Sequence, residues 1–263
     1  MNTPANNSIP FFSVITVVFN DLAGFRRTEA SVRGQKERSF EWIVVDGASK
    51  DGTVEYLRTL DLPYLNWASE RDRGIYDAMN KGTARSLGRY VIYMNGGDEF
   101  KDPDCLSDTR RCLEEANFPE LLYAGGNWRF ANGHLRYRPP RKIESGIRHC
   151  LPAMHQATFY RRDFLDVPPY ELRYPVSADY YVSARCFARG AKAAYLERSI
   201  CIFEVGGNSS KLDRLNKSLL ECWHIQQTVL KLNIFSRLMS AMRRIVAHRR
   251  YVVFQRMYAS KAE

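Results

Sequence analysis

Phe12-Ser-Val-Ile-Thr-Val-Val-Phe19 is an almost unbroken β-branched and aromatic run that stops at Asn20-Asp21. A strand with no polar alternation is buried on both faces, which in a soluble chain points to a parallel sheet covered by helices. A helical pattern follows to about Gln35, with Leu22, Phe25 and Val32 at compatible spacings. Phe40 to Val45 reads as a second buried strand. It ends in Asp46-Gly-Ala-Ser49-Lys-Asp51-Gly52, turn chemistry that leads into a helix over Thr53 to Leu60. A short strand near Leu65 to Ala68, a helix from about Gly74 to Ser86 and a strand over Tyr90 to Met94 continue the alternation. The rhythm predicts an α/β, Rossmann-like, doubly wound sheet.

Sheets of this kind bind ligands at the carboxyl ends of their strands. Those ends are strongly polar here: Asn20-Asp21 after the first strand, Asp46 and Ser49 after the second, Glu70 and Asp72 after the third, and Asn95-Gly-Gly-Asp98-Glu99 after the Tyr90 strand. No G-x-x-x-x-G-K-[ST] loop and no G-x-G-x-x-G fingerprint is present, so this is neither a standard P-loop nor a standard dinucleotide site. Carboxylates meet a diphosphate through a divalent cation, and hard oxygen ligands favour Mg²⁺ or Mn²⁺. Asp51, in Asp-Gly-Thr before an apolar helix, reads as an ordinary cap, whereas Asp98 reads as functional.

Past residue 120 the alternation weakens. Leu121 to Phe130 and Leu135 to Arg138 look like a β ribbon, followed by a polar, proline-bearing stretch from Pro139 to Pro152. Ser177 to Arg189 reads as a helix closed by Gly190, and Ala193 to Val205 as one or two strands ending at Gly206-Gly207. Lys211 to Leu232 and Asn233 to Tyr258 look like two successive helices.

A chain that is 45% hydrophobic and 26% charged has the balance of a globular protein rather than a disordered one. No apolar run approaches the roughly 20 residues of a membrane-spanning helix, and Met1 to Pro10 is too polar for a secretory signal. Six cysteines without a C-x-x-C pair suit reduced thiols and a cytoplasmic location. The net charge is +10, but residues 211–263 hold 11 Lys/Arg against 3 Asp/Glu, leaving the body nearly neutral. Nucleic-acid binding, which would want a basic stripe on the folded body, is not expected.

Ser13 to Asp21, Trp42-Ile-Val-Val-Asp-Gly-Ala-Ser-Lys-Asp-Gly-Thr53, Ser69-Glu-Arg-Asp-Arg-Gly-Ile-Tyr-Asp-Ala-Met-Asn-Lys-Gly82 and Tyr93-Met-Asn-Gly-Gly-Asp-Glu99 together resemble family 2 glycosyltransferases of the GT-A fold, and are especially similar to the bacterial exopolysaccharide and colanic-acid subgroup. The resemblance covers about residues 11–210. It implies a GT-A domain with a doubly wound mixed sheet over 1–210, with a nucleotide-binding half at about 11–120 and an acceptor half at about 121–210, and a basic helical extension over 211–263. It further implies that Phe19 and Asn20 border the nucleoside, that Asp46 accepts hydrogen bonds from base or ribose, and that Asp72 lies beside the same pocket. Lys81 is either an i, i+4 partner of Asp77 or a nucleotide contact. The family's D-x-D is replaced by Asn95-Gly-Gly-Asp98, which leaves Asp98 as the metal ligand and Asn95 as a neutral partner, with measurable dependence on Mg²⁺ or Mn²⁺.

Inverting transfer needs a base for the acceptor hydroxyl. Ser177-Ala-Asp179-Tyr-Tyr resembles the segment carrying that acid, although an aspartate in a helix's first turn also suits the macrodipole. His155-Gln156 resembles a segment facing donor or acceptor, and a histidine in a strand is equally a structural residue. Gly206-Gly-Asn-Ser209 resembles a loop near the diphosphate. In the tail, Met239, Met242, Val246, Val253 and Met257 alternate with Arg237, Arg243, Arg244, Arg249, Arg250 and Arg256, the composition of a helix on an anionic membrane surface or packed on protein. The implied activity is transfer from a UDP- or GDP-sugar to an undecaprenyl-diphosphate-linked oligosaccharide, on the cytoplasmic face of the inner membrane. A catalytically silent nucleotide-sugar-binding scaffold and a nucleotidyltransferase are the rival readings.

Overall fold

A computed structural model describes residues 9–205 and 212–259. Nine strands form one mixed sheet: β1 (Phe12–Val18), β2 (Phe40–Asp46), β3 (Leu65–Ser69), β4 (Tyr90–Tyr93), β5 (Glu99–Phe100), β6 (Leu121–Arg129), β7 (Leu135–Arg138), β8 (Thr158–Arg161) and β9 (Ala193–Glu204). Their order is β3-β2-β1-β4-β8-β6-β9-β5, with β7 on β6. β1 is wholly buried and lies parallel to both β2 and β4. The chain first winds outward to β3 and then returns to β4 on the far side of β1. That reversal opens the crevice beyond the carboxyl ends of β1 and β4.

The helices are α1 (Leu22–Arg33), α2 (Thr53–Thr59), α3 (Ile75–Arg85), α4 (Cys105–Glu115), α5 (Ile143–Gly146), α6 (Ala178–Ala188), α7 (Leu212–Thr228) and α8 (Ile234–Ala259). Alternate residues of each central strand feed opposite layers, as the period of two requires. Phe12, Val14, Trp42, Val44 and Ile92 pack with Phe25 and Val32 of α1, Leu57 of α2 and Leu106 and Leu113 of α4. Ile15, Val17, Ile43, Val45, Val91 and Tyr93 pack with Ala78 and Met79 of α3, with α6, and with Cys222 and Ile225 of α7. Gly82 brings α3 down onto β1: a Cβ there would stand 2.5 Å from Ile15 Cγ2. Ile75, at the first turn of α3, is exposed.

Four elements went unread in the sequence. α4, β5, α5 and β8 are short or lack a clean period, and β8 enters antiparallel between β4 and β6, turning a parallel sheet into a mixed one. His155 is not in a strand but opens a 3-10 turn, His155–Ala157, just before β8. The expected β ribbon is the antiparallel pair β6–β7, and Ala193 to Glu204 is a single strand. All six cysteines are free thiols. No helix among the described residues is long and apolar enough to cross a membrane.

Candidate active site

One end of the crevice is built by the tips of β1, β2 and β3. Asp46 ends β2 fully buried; its Oδ2 accepts from Ser49 N at 3.0 Å and Ser69 Oγ at 2.6 Å, while Oδ1 is buried without a partner. An orphan carboxylate oxygen costs too much to be incidental, and it marks a donor that the fold does not supply. Gly47 sits between Phe19 and Asp72: a Cβ there would lie 3.0 Å from the Phe19 ring and 2.8 Å from Asp72 Oδ2. Phe19 is 63% exposed, a large ring left open beside that carboxylate. Asn20 takes a left-handed φ of 48° and ties the loop down, with its N–H donating to Ser49 Oγ and its Oδ1 accepting from Lys50 N, each at 2.8 Å. Phe19, Asn20, Asp46 and Asp72 are thus brought together.

Two neighbours of this group make bonds within the fold. Asp51 accepts from Thr53 N and Oγ1 and from Leu22 N, a brace between the starts of α1 and α2 that holds its carboxyl below the usual range despite burial. Lys81 is not paired with Asp77, whose carboxylate is taken by Arg73. Lys81 Nζ instead donates to Arg71 O at 2.7 Å and lies 3.7 Å from Glu70.

At the end of β4, Asp98 is buried, and burial pushes its carboxyl up to about 7 against the hydrogen bonds it accepts. Those bonds come to Oδ2 from Asn95 N at 3.1 Å and from Gln156 Nε2 at 3.0 Å. Asn95 Oδ1 is buried without a partner. Glu99 is withdrawn from ligand duty by ion pairs with Arg27 and Arg129. Among the described residues no three His, Cys, Asp or Glu side chains gather around one point. Asp98 and the free Asn95 oxygen are hard donors, and so small a set fits Mg²⁺ or Mn²⁺ where phosphate oxygens and water complete the shell.

Asp179, the expected base, is carried by α6. Asp179 is half-buried in its first turn, and Tyr180 N donates to its Oδ1 at 2.7 Å. Burial raises the carboxyl to about 6, opposed by that N–H, by Arg244 of α8 and by the Tyr76 hydroxyl. Tyr76 OH donates to Val176 O at 3.0 Å, and its ring stacks on Tyr170 at 5.3 Å. His155 stacks on Tyr93 at 5.1 Å and meets Tyr170 edge-on. It is buried with both ring nitrogens unpartnered, and burial pushes its pKa down to about 4, so it is neutral. The turn His155-Gln156 therefore links the halves: Gln156 holds Asp98, and His155 rests on the aromatic floor that reaches Asp179 through Tyr170 and Tyr76.

Tyr76 was not singled out from sequence, Gln156 was named only as part of the His155-Gln156 segment, and Arg244 only as one of the tail's charges. The only signal for Gln156 was its place beside His155. Gly206 to Ser209, expected near the diphosphate, lie outside the described residues.

The chain matches the model of glycosyl transferase family 2 over residues 13–171. An uncharacterized glycosyltransferase of Mycobacterium tuberculosis is 36% identical over 179 residues, 65% of this chain and 67% of its own length. A PGL/p-HBAD biosynthesis glycosyltransferase of Mycobacterium bovis is 29% identical over 210 residues, covering 77% of this chain and 80% of that one. Among solved structures, S. aureus TarS 1-349 in complex with UDP-GlcNAc superposes with a TM-score of 0.66 at 15% identity, over 89% of this chain and 71% of that chain. The mannosyltransferase PcManGT of Pyrobaculum calidifontis, in complex with GDP-Man and Mn²⁺, gives 0.65 at 14% identity over 99% and 82%. At such identities the likeness is one of fold, here GT-A-like.

Proposed function

The chain belongs to glycosyl transferase family 2, and on that premise we propose that it is an inverting transferase that moves a sugar from a UDP- or GDP-sugar to a lipid-linked oligosaccharide in surface-polysaccharide assembly. The observation that carries this reading is the His155-Gln156 turn, which ties the buried Asp98 of the donor rim to the aromatic floor beside Asp179. Phe19 covers the base, and the free Oδ1 of Asp46 accepts from base or ribose. Asp98 and Asn95 would hold a Mg²⁺ or Mn²⁺ ion, which would supply positive charge against the diphosphate. Asp179 takes the proton of the acceptor hydroxyl as its oxygen bonds to the anomeric carbon from the side opposite the leaving nucleoside diphosphate. His155, neutral and dry, shapes the space between them.

The acceptor follows from α8. Among the side chains that face the body, Ser240 bonds Gln226 at 2.7 Å, Arg244 Nε donates to His149 O at 2.8 Å, and Tyr251 packs on Trp128. Outward stand Phe235, Leu238, Met242, Ile245, Val246 and Val253, all exposed. Arg244 points inward, and Met239 is half-buried. The side chains of Arg256 and Met257 lie outside the description. An apolar stripe flanked by exposed Arg243, Arg249 and Arg250 suits an anionic membrane surface, at about 1 kcal/mol per basic residue.

A thermal-shift screen with UDP, GDP, dTDP and CMP, each with Mn²⁺, tests the donor, because a bound nucleotide stabilises by mass action. One or more nucleoside diphosphates should raise the melting temperature, and incubation with the matching nucleotide-sugar should release nucleoside diphosphate faster when acceptor is added. Binding without release would mark a silent scaffold, and release of pyrophosphate a nucleotidyltransferase.

A further inference from the structure

The acceptor half concentrates positive charge that the donor rim does not use. Arg138 ends β7, Arg141 and Arg148 flank α5, and Arg243 and Arg244 stand midway along α8. They converge on His149-Cys150. Arg141 Nη1 donates to Cys150 Sγ at 3.5 Å, Arg244 Nε to His149 O at 2.8 Å, and Arg148 Nε to Glu144 O at 3.3 Å. The Arg138 guanidinium lies over Trp128 at 4.4 Å, beside the Tyr251 ring of α8.

None of these five arginines forms an ion pair with a described residue. Other arginines, such as Arg161 with Glu120 and Arg185 with Asp166, are ion-paired. His149 Nδ1 is buried at the centre without a hydrogen-bond partner. Burial, then the charges of Arg243, Arg141, Arg244 and Arg148, hold the His149 pKa down. Guanidinium groups cannot shed their protons to relieve such crowding, and their forked donors match phosphoryl oxygens. An assembly of like charges around an unpaired ring nitrogen is the counterpart of a polyanion.

Its place in the fold says which one. Arg244 is within electrostatic reach of Asp179, and Arg243 adjoins Met242 of the outward apolar stripe. The cluster therefore lies between the surface assigned to lipid and the base assigned to the acceptor hydroxyl. We propose that Arg138, Arg141, Arg148, Arg243 and Arg244 around His149 bind the diphosphate that joins the acceptor sugar to its lipid. This rests on the glycosyltransferase reading above and adds to it a seat for the acceptor's anionic group.

The test measures inorganic pyrophosphate binding by calorimetry, in EDTA, to the full chain and to a variant with Arg141→Gln, Arg148→Gln and Arg243→Gln, three exposed positions. The same two proteins are then titrated with neutral vesicles carrying a polyprenyl diphosphate, and with vesicles of matched charge carrying phosphatidylglycerol. The variant should bind pyrophosphate at least about tenfold more weakly, keep its stabilisation by nucleotide and Mn²⁺, and lose a preference for the diphosphate vesicles that the natural chain shows. If Arg243→Gln alone is the only soluble variant, a severalfold loss is expected from it. Pyrophosphate affinity unchanged by the substitutions would overturn the assignment. Equal binding of the natural chain to both vesicles would overturn it too, by giving the cluster to lipid headgroups. Absence of any nucleotide response in the natural chain would remove the donor reading, and the pyrophosphate contrast would still decide the cluster.

Discussion

Asp179 and Asp98 are both carboxyls raised by burial, and their consequences differ. With Asp179 at about 6, transfer should rise with pH through that value, because the base works only as the carboxylate. Asp179→Asn should leave nucleotide binding intact and lower transfer by roughly 10²- to 10⁴-fold; near-normal turnover of that variant in a nucleotide-release assay would take Asp179 out of the role. Asp98 has a folded pKa of about 7 against an ordinary 3.8, so the folded state binds the proton more tightly. Its contribution to stability is full below about pH 4 and declines until pH passes about 7, by on the order of 4 kcal/mol. Denaturation across that range should show the natural chain losing stability relative to Asp98→Asn, whose side chain stays neutral, as pH rises. Mn²⁺ should restore stability near pH 7.5 in the natural chain alone. At this scale the sequence was only partly legible. Asp46 and Asp98 stand out because buried strands deliver them. Gln156 bonds Asp98 across 58 residues, and Tyr76 bonds Val176 across 100, contacts that no local pattern encodes.

Among the elements, α6 owes its position to the C-terminal segment. Ser177 stands at its N-cap but makes no side-chain cap. Glu221 of α7 does this instead, accepting from Val176 N at 3.1 Å and Ser177 N at 2.7 Å. The extension read as an appendage thus caps the helix that carries Asp179. Glu221→Ala should cost about 1–3 kcal/mol by stranding two N–H groups, and should lower transfer more than nucleotide affinity. Calorimetric melting and nucleotide titration of one preparation check both. β1, β2 and β4 were legible because a wholly apolar run has few alternatives. α4 and β8 were not: α4 is mostly polar, with Leu106 and Leu113 as its deepest apolar anchors, and β8 is four residues fixed by the strands on either side.

For the whole molecule, a reversing sheet sets Asp46 and Asp72 on one side of β4 and the helix carrying Asp179 on the other, the proposed nucleotide and acceptor sides, while α8 turns an apolar stripe outward. Phe235→Ser with Met242→Ser, at two exposed sites, should abolish co-flotation with anionic liposomes and leave nucleotide stabilisation unchanged; equal flotation of variant and natural chain would refute a membrane role. The central claim is that one crevice holds the nucleotide at Asp46 and its diphosphate at Asp98, within reach of Asp179. Crystals grown with Mn²⁺ and the stabilising nucleotide-sugar test it most directly. Base or ribose should bond Asp46 Oδ1 beside Phe19, with the cation on Asp98 and the sugar facing Asp179. A nucleotide bound elsewhere, with Asp46 Oδ1 still unpaired and Asp98 still held only by Gln156 and Asn95, would contradict it.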